Sequence, residues 1–187
     1  MLVSIVKVLA EQSVLSLVAP LNYLKHLTVK TWLEDVELFG LACFLRSSPN
    51  LESLFIYIDD PGDLDSTDIA DLFVLDEGKF WESQPLQFYD LLNSLKKVKI
   101  KGFEAQGNEI EFIKFLLKNA MVLEELVIST ADLNSRYASV IMFGHTEQLM
   151  LLQEQQKDIQ NLLAFPRASP IAKIYSLQNF GNVDVHF

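Results

Sequence analysis

The chain has a single cysteine, Cys43, so no disulfide can form within it, and it carries no Asn-x-Ser/Thr acceptor for N-glycosylation. Both absences argue against an oxidising, secretory setting and lead to the expectation of cytoplasm or nucleus. Basic residues are also scarce. Fifteen Lys and Arg stand against 25 Asp and Glu, a formal net charge of -10. A chain of that balance repels phosphate backbones and anionic lipid, so neither nucleic acid nor a membrane surface is the expected partner. No uncharged apolar run reaches the roughly 18 residues a bilayer span requires. The first twenty residues are apolar, but Lys7 and Glu11 interrupt them, Pro20 closes them and no basic segment precedes them, which speaks against a signal peptide.

Chemistry-bearing patterns are missing as well. Three histidines, His26, His145 and His186, lie far apart, and none has metal-ligand spacing with another His or with Cys43. Neither Gly-x-Gly-x-x-Gly nor the P-loop pattern occurs, so nothing cradles a phosphate. Cys43 sits in Leu41-Ala42-Cys43-Phe44-Leu45, the setting of a small buried apolar residue; a reactive thiol needs cations beside it, and Arg46 alone is thin support. Asp63-x-Asp65-x-x-Asp68 departs from the calcium-loop pattern and has no Glu at the bidentate position. No enzyme, no metal and no cofactor is expected.

What the chain does have is hydrophobic pattern. Half its residues are hydrophobic and 21% are charged, enough for a sizeable core in one ordered unit. The pattern L-x-x-L-x-L/V-x begins at Leu24 and returns from Leu51, with Val or Ile taking some of the inner places when it returns again from Leu95 and from Leu123. Starts 24 and 51 are 27 residues apart and starts 95 and 123 are 28 apart, within the 20–29 residue range of leucine-rich repeats. Phe44-Leu45-Arg46 leads into the second unit at the offset with which Leu116-Leu117-Lys118 leads into the fourth. Between units the period becomes helical: Leu38, Leu41, Ala42 and Leu45 share one face, as do Ile110, Ile113, Leu116 and Leu117. Each unit therefore reads strand, turn, helix. A unit of this size buries its two apolar surfaces only by stacking on a neighbour. The fold expected is α/β, a leucine-rich-repeat-like solenoid segment of strand–helix units. The competing reading, an ordinary α/β domain with Leu-rich strands, does not explain a Leu at one constant offset before each strand.

Residues 59–90 interrupt the repeat; ahead of Lys79 the stretch holds eight acidic residues and no Lys or Arg, which reads as a solvated insertion with a short strand near Leu72–Leu75. Beyond the fourth unit, Glu147–Ala164 reads as an amphipathic helix, ended by Pro166 and Pro170, and Ile171–Leu177 as a last strand. Residues 1–20 look like what is left of an earlier repeat.

The segments Leu95–Phe103, Asn119–Ile128 and above all Leu162-Leu163-Ala164-Phe165-Pro166-Arg167-Ala168-Ser169-Pro170 resemble the FBD domain that closes plant F-box/LRR-repeat proteins, and residues 24–58 resemble the end of the LRR region before it. The likeness covers roughly residues 20–177; residues 130–147 depart from it. It implies two parts, 1–90 as the end of an LRR region with the insertion 59–90, and 91–180 as an FBD cap. It also implies a protein-interaction module, the target-recognition part of an SCF-type ubiquitin ligase, in which an N-terminal F-box docks a Skp-type adaptor. No F-box stands in these residues, so adaptor docking by them is not expected; the alternative is a truncated structural remnant.

In such a stack the Leu and Ile of each strand point inward and the residues between them outward. Aligning the units gives three outward rows: His26, Ser53, Lys97, Glu125; then Thr28, Phe55, Lys99, Val127; then Lys30, Tyr57, Lys101, Ser129. Phe55 and Tyr57 are the residue types that anchor interfaces. Lys97, Lys99 and Lys101 form a basic strand on an acidic chain. With Thr28 and Lys30 they suggest a groove for an acidic or phosphorylated protein partner. The alternative left open is that the insertion 59–90 folds back, covers the aromatics and neutralises the lysines.

Overall fold

The computed structural model describes residues 2–4, 21–33, 35–58, 80–81, 92–131 and 145–177. Strands β1 (Leu2–Ser4), β2 (His26–Thr31), β3 (Ser53–Ile58), β4 (Lys97–Phe103), β5 (Glu125–Thr130) and β6 (Lys173–Leu177) form one parallel sheet in chain order, β1-β2-β3-β4-β5-β6. Helix α1 (Asp35–Ser47) joins β2 to β3, α2 (Gly107–Asn119) joins β4 to β5, and α3 (His145–Leu163) precedes β6. Each new strand is laid beside the last, so every neighbouring pair is close in sequence order. Such an arrangement follows when each unit has one apolar face to cover and only the next unit to cover it.

The core lies between sheet and helices. Leu27 and Val29, Leu54 and Ile56, Val98 and Ile100, and Leu126 and Ile128 form two inward rows and are all buried. Leu38, Leu41, Ala42 and Leu45 from α1 meet them, as do Ile113, Leu116 and Leu117 from α2, while Ile110 is only partly buried at the rim. The expected helix faces are thus the buried ones. The last helix and strand lie close to their expected bounds, at His145–Leu163 and Lys173–Leu177. Cys43 is buried, and burial pushes its thiol above the ordinary value against the weaker pull of Arg46.

The entrance to each strand is built the same way. The amides of Leu24, Leu51, Leu95 and Leu123 bond back to the carbonyls of Leu21, Ser48, Leu92 and Ala120, one tight turn per unit. One carbonyl then takes two amides from the next unit: Lys25 from Glu52 and Ser53, Glu52 from Lys96 and Lys97, Lys96 from Glu124 and Glu125. This interlock sets the register before any side chain is considered. Ala172 bonds to Ser169 in the same manner ahead of β6, but one residue nearer its strand, and the Ser169 hydroxyl donates to the Leu123 carbonyl at 2.6 Å.

Two findings go beyond the expectation. The insertion 59–90 is not solvated throughout, because Phe80 and Trp81 are buried and Trp81 packs on Phe112 and Phe115 of α2, at 4.9 and 4.7 Å between centroids. Two large rings in an acidic stretch gain more from burial than the neighbouring charges gain by keeping them in water. The suggested strand near Leu72–Leu75, and the rest of that stretch, lie outside the described residues. The second finding is a bulge in β4 between Lys101 and Phe103. Gly102 takes φ 88°, and a Cβ there would collide with the Ile58 carbonyl oxygen. That extra residue accounts for the 28-residue spacing beside one of 27.

Candidate functional site

The outward rows come together as the alignment predicts. His26, Ser53, Lys97 and Glu125 are register partners, as are Thr28, Phe55, Lys99 and Val127, and Lys30, Tyr57, Lys101 and Ser129. They stand on the face of the sheet away from the helices. Lys30, Lys97, Lys101 and Tyr57 are exposed, whereas Thr28, Phe55 and Lys99 are half-buried. Ser53 and Val127 are buried although their rows face outward, because each is a short side chain standing between longer ones. The Lys99 ammonium lies 5.8 Å from the centroid of the Phe55 ring, a cation–π contact that joins the basic column to the aromatic one.

The rows continue onto β6, which the alignment of four units had not included. Lys173 follows Glu125, Tyr175 follows Val127 and Leu177 follows Ser129. All three are exposed, Tyr175 and Leu177 by 45% and 43%. The alternating Lys-Ile-Tyr-Ser-Leu run was legible as a strand, but its register was not, since Ser176 stands where the other units have a second inward Val or Ile, and the turn amide falls one residue later, on Ala172. At the other edge Leu2 and Ser4 of β1 pair with Thr28 and Lys30, so the rows also extend backward onto the segment expected to hold an earlier repeat.

Charge is sorted on this face. Across β2 to β6 the three rows hold Lys30, Lys97, Lys99, Lys101 and Lys173 against one acid, Glu125. The chain as a whole is at -10. Just before the strands, signs alternate instead: Lys25, Glu52, Lys96 and Glu124 precede consecutive strands. Lys25 reaches Glu52 at 2.8 Å and Lys96 reaches it at 3.7 Å. Lys25 and then Lys96 hold the Glu52 carboxyl below its ordinary value, and Glu52 raises Lys25. The excess positive charge is therefore on the open face and not at the strand entrances.

Among the described residues no group of three or more His, Cys, Asp or Glu is placed to hold a metal ion, and no helix is long and apolar enough to cross a membrane. A groove of about 430 Å³ between α2 and α3, lined by Ile110, Lys114, Asp158, Leu162 and Phe165 among others, lies apart from the lysine-bearing face.

A parallel sheet built unit by unit, with an ordered polar face opposite its helices, defines a leucine-rich-repeat protein. Residues 6–170 match the family described as At1g61320/AtMIF1, LRR domain, and the chain belongs to that family. It is similar to three proteins of Arabidopsis thaliana. F-box/FBD/LRR-repeat protein At1g13570 is 29% identical over 86% of this chain and 33% of its own length. Putative F-box/LRR-repeat protein At5g54820 is 26% identical over 75% and 29%. Putative F-box/FBD/LRR-repeat protein At4g03220 is 29% identical over 61% and 24%. The match spans a third or less of each of these relatives. These likenesses agree with the resemblance to plant F-box/FBD/LRR-repeat proteins read from the residues. No solved structure matches the chain.

Proposed function

We propose that this chain is a protein-interaction module, the target-recognition portion of an SCF-type ubiquitin-ligase F-box protein, and that the open face of its sheet takes the partner. The observation that carries this reading is the sorting of charge, five lysines to one acid across the outward rows of β2 to β6 in a chain at -10. Thr28, Lys30, Phe55, Tyr57, Lys97, Lys99 and Lys101 form the contact surface, with Lys173, Tyr175 and Leu177 extending it. Aromatic anchors beside cations suit an acidic or phosphorylated protein partner in cytoplasm or nucleus. Residues 91–180 act as the FBD cap of a repeat solenoid that includes residues 1–90. Recognition here needs no covalent step; docking of a ligase adaptor falls to an F-box outside these residues.

The experiment compares what the wild-type chain and a Phe55→Ala, Tyr57→Ala, Lys97→Ala, Lys99→Ala variant retrieve from plant extract, after circular dichroism shows equal folding. A partner held by the first and lost by the second supports the reading. Equal retrieval overturns the site, and no partner for either favours a structural remnant.

A further inference from the structure

On β5 the two outward side chains nearest the strand's end are short, Val127 and Ser129, and they stand between longer ones. Lys99 and Lys101 flank them on β4, and Tyr175 and Leu177 on β6. Val127 is buried and Ser129 half-buried, whereas Lys101, Tyr175 and Leu177 are exposed. The floor is thus low and both sides are high. Neighbouring strands are roughly 4.8 Å apart, so β4 and β6 lie roughly 10 Å from each other, the room that one extended chain takes. The two sides differ in chemistry, one cationic and the other apolar.

We infer that this trough over β5 binds an extended peptide segment in which acidic and apolar residues alternate. An extended chain turns successive side chains to opposite sides, so every second residue faces the β4 lysines and the others face Tyr175 and Leu177. Lys97, Lys99 and Lys101 recur every second residue along β4, roughly 6.7 Å apart, which is also the repeat of same-side residues in an extended ligand. Carboxylates at alternate positions therefore keep step with the ammoniums of Lys99 and Lys101, and no phosphate is needed. Lys99 leans over Phe55, which leaves the floor clear. Glu125, on the floor at the β5 entrance, fixes the register: the carboxylates lie towards Lys99 and Lys101, and a neutral or basic residue lies over Glu125. The inference rests on the open face being the binding surface and adds the chemistry of its occupant.

The test uses the full chain and two labelled synthetic peptides of one composition, read by fluorescence anisotropy. One alternates Glu with Val or Leu; the other places its Glu residues in one block and its apolar residues in another. The alternating peptide is expected to bind about tenfold tighter, a factor well outside experimental scatter. A Lys99→Glu, Lys101→Glu variant, folded by circular dichroism, is expected to lose it and to bind instead a peptide in which Lys replaces each Glu. Ser129→Tyr, which raises the floor without changing charge, is expected to weaken the alternating peptide alone. Equal binding of the two peptides, both weakened by the lysine reversals, overturns the trough while leaving the face as the binding surface. Tighter binding of a phosphorylated peptide without alternation overturns the carboxylate ligand. Binding untouched by the lysine reversals counts against the face itself, as does the extract experiment if retrieval is equal.

Discussion

The unit β2–α1–β3 and the unit β4–α2–β5 solve one problem with different residues. Each must turn a strand into a helix across three residues and satisfy the amides exposed on the way. In both, the residue two places past the strand has a left-handed backbone, Leu33 at φ 55° and Ala105 at φ 68°. In both, a buried Glu on the helix's third residue accepts two donors from the turn, two amides at Glu109 and an amide and a hydroxyl at Glu37. Glu37 takes Trp32 N–H at 2.6 Å and the Thr31 hydroxyl at 2.8 Å; Glu109 takes Glu104 N–H at 2.9 Å and Gln106 N–H at 3.1 Å. The second unit differs by one residue, Gly102, which the bulge expels so that Phe103 reaches the place Thr31 has in the first. What this repeat keeps is the fit of turn to helix and of strand to strand; its length is free to change where a glycine can leave the ladder.

The largest effect is expected on the second unit's helix. Trp81→Ala empties the space against Phe112 and Phe115 and is expected to cost about 3–5 kcal/mol in chemical denaturation. Trp81→Phe keeps a ring against Phe112 and Phe115 and should cost clearly less than the alanine, since among the described residues the indole N–H has no hydrogen-bond partner to lose. Equal losses for the two would mean that the ring is not what the helix needs.

Gly102 is where the units can be made alike. Gly102→Ala places a Cβ against the Ile58 carbonyl at a positive φ and is expected to cost about 2–3 kcal/mol. Deleting Gly102 shortens the unit to the spacing of the first and leaves the offset from Glu104 to Glu109 equal to that from Trp32 to Glu37. The deletion should therefore destabilise less than the alanine. If denaturation ranks them the other way, the bulge holds the turn and is not merely a surplus residue.

Next in size is the Glu109 clamp. Glu109→Ala strands two amides and is expected to cost about 1–3 kcal/mol. Burial pushes the Glu109 carboxyl up from 4.5 to about 7, against the two backbone donors that favour the anion. A raised acid keeps its proton in the folded chain after the unfolded chain has lost it. Its contribution is thus fully present below about pH 4.5 and is lost as pH rises towards 7. Glu109→Gln retains an acceptor but no proton to lose. Its stability relative to wild type should rise across that window and level off above it; a flat difference would show that the carboxyl titrates normally.

How much of this was legible in the sequence follows from what each feature leaves in it. The inward rows and the register of β2 to β5 were, because a Leu heads each strand at one offset and the carbonyl interlock repeats with it. β6 was hidden because Ser176 stands where the other strands have an inward Val or Ile, and its turn closes one residue later, at Ala172, with Ser169 held to Leu123. Phe80 and Trp81 were hidden by the charge around them, since a composition reading averages over the two residues that are buried. The 28-residue spacing was visible but did not point to Gly102, because a glycine is compatible with many turns and only the nearby Ile58 carbonyl singles this one out. The left-handed Leu33 and Ala105 left no mark at all: neither residue type favours that backbone, and tertiary packing imposes it.

The smallest effect is expected where the units are joined rather than built. Glu52 stands between Lys25 and Lys96, and its backbone carbonyl also receives the amides of Lys96 and Lys97. Two ion pairs suggest a strong joint, but all three side chains are in contact with water and salt screens them. The backbone bonds do not depend on the side chain. Glu52→Gln should therefore leave the denaturation midpoint nearly unchanged, and raised salt should not move the wild type. A clear loss for Glu52→Gln that raised salt also produces in wild type would show that the charge ladder, not the carbonyl interlock, holds one unit against the next.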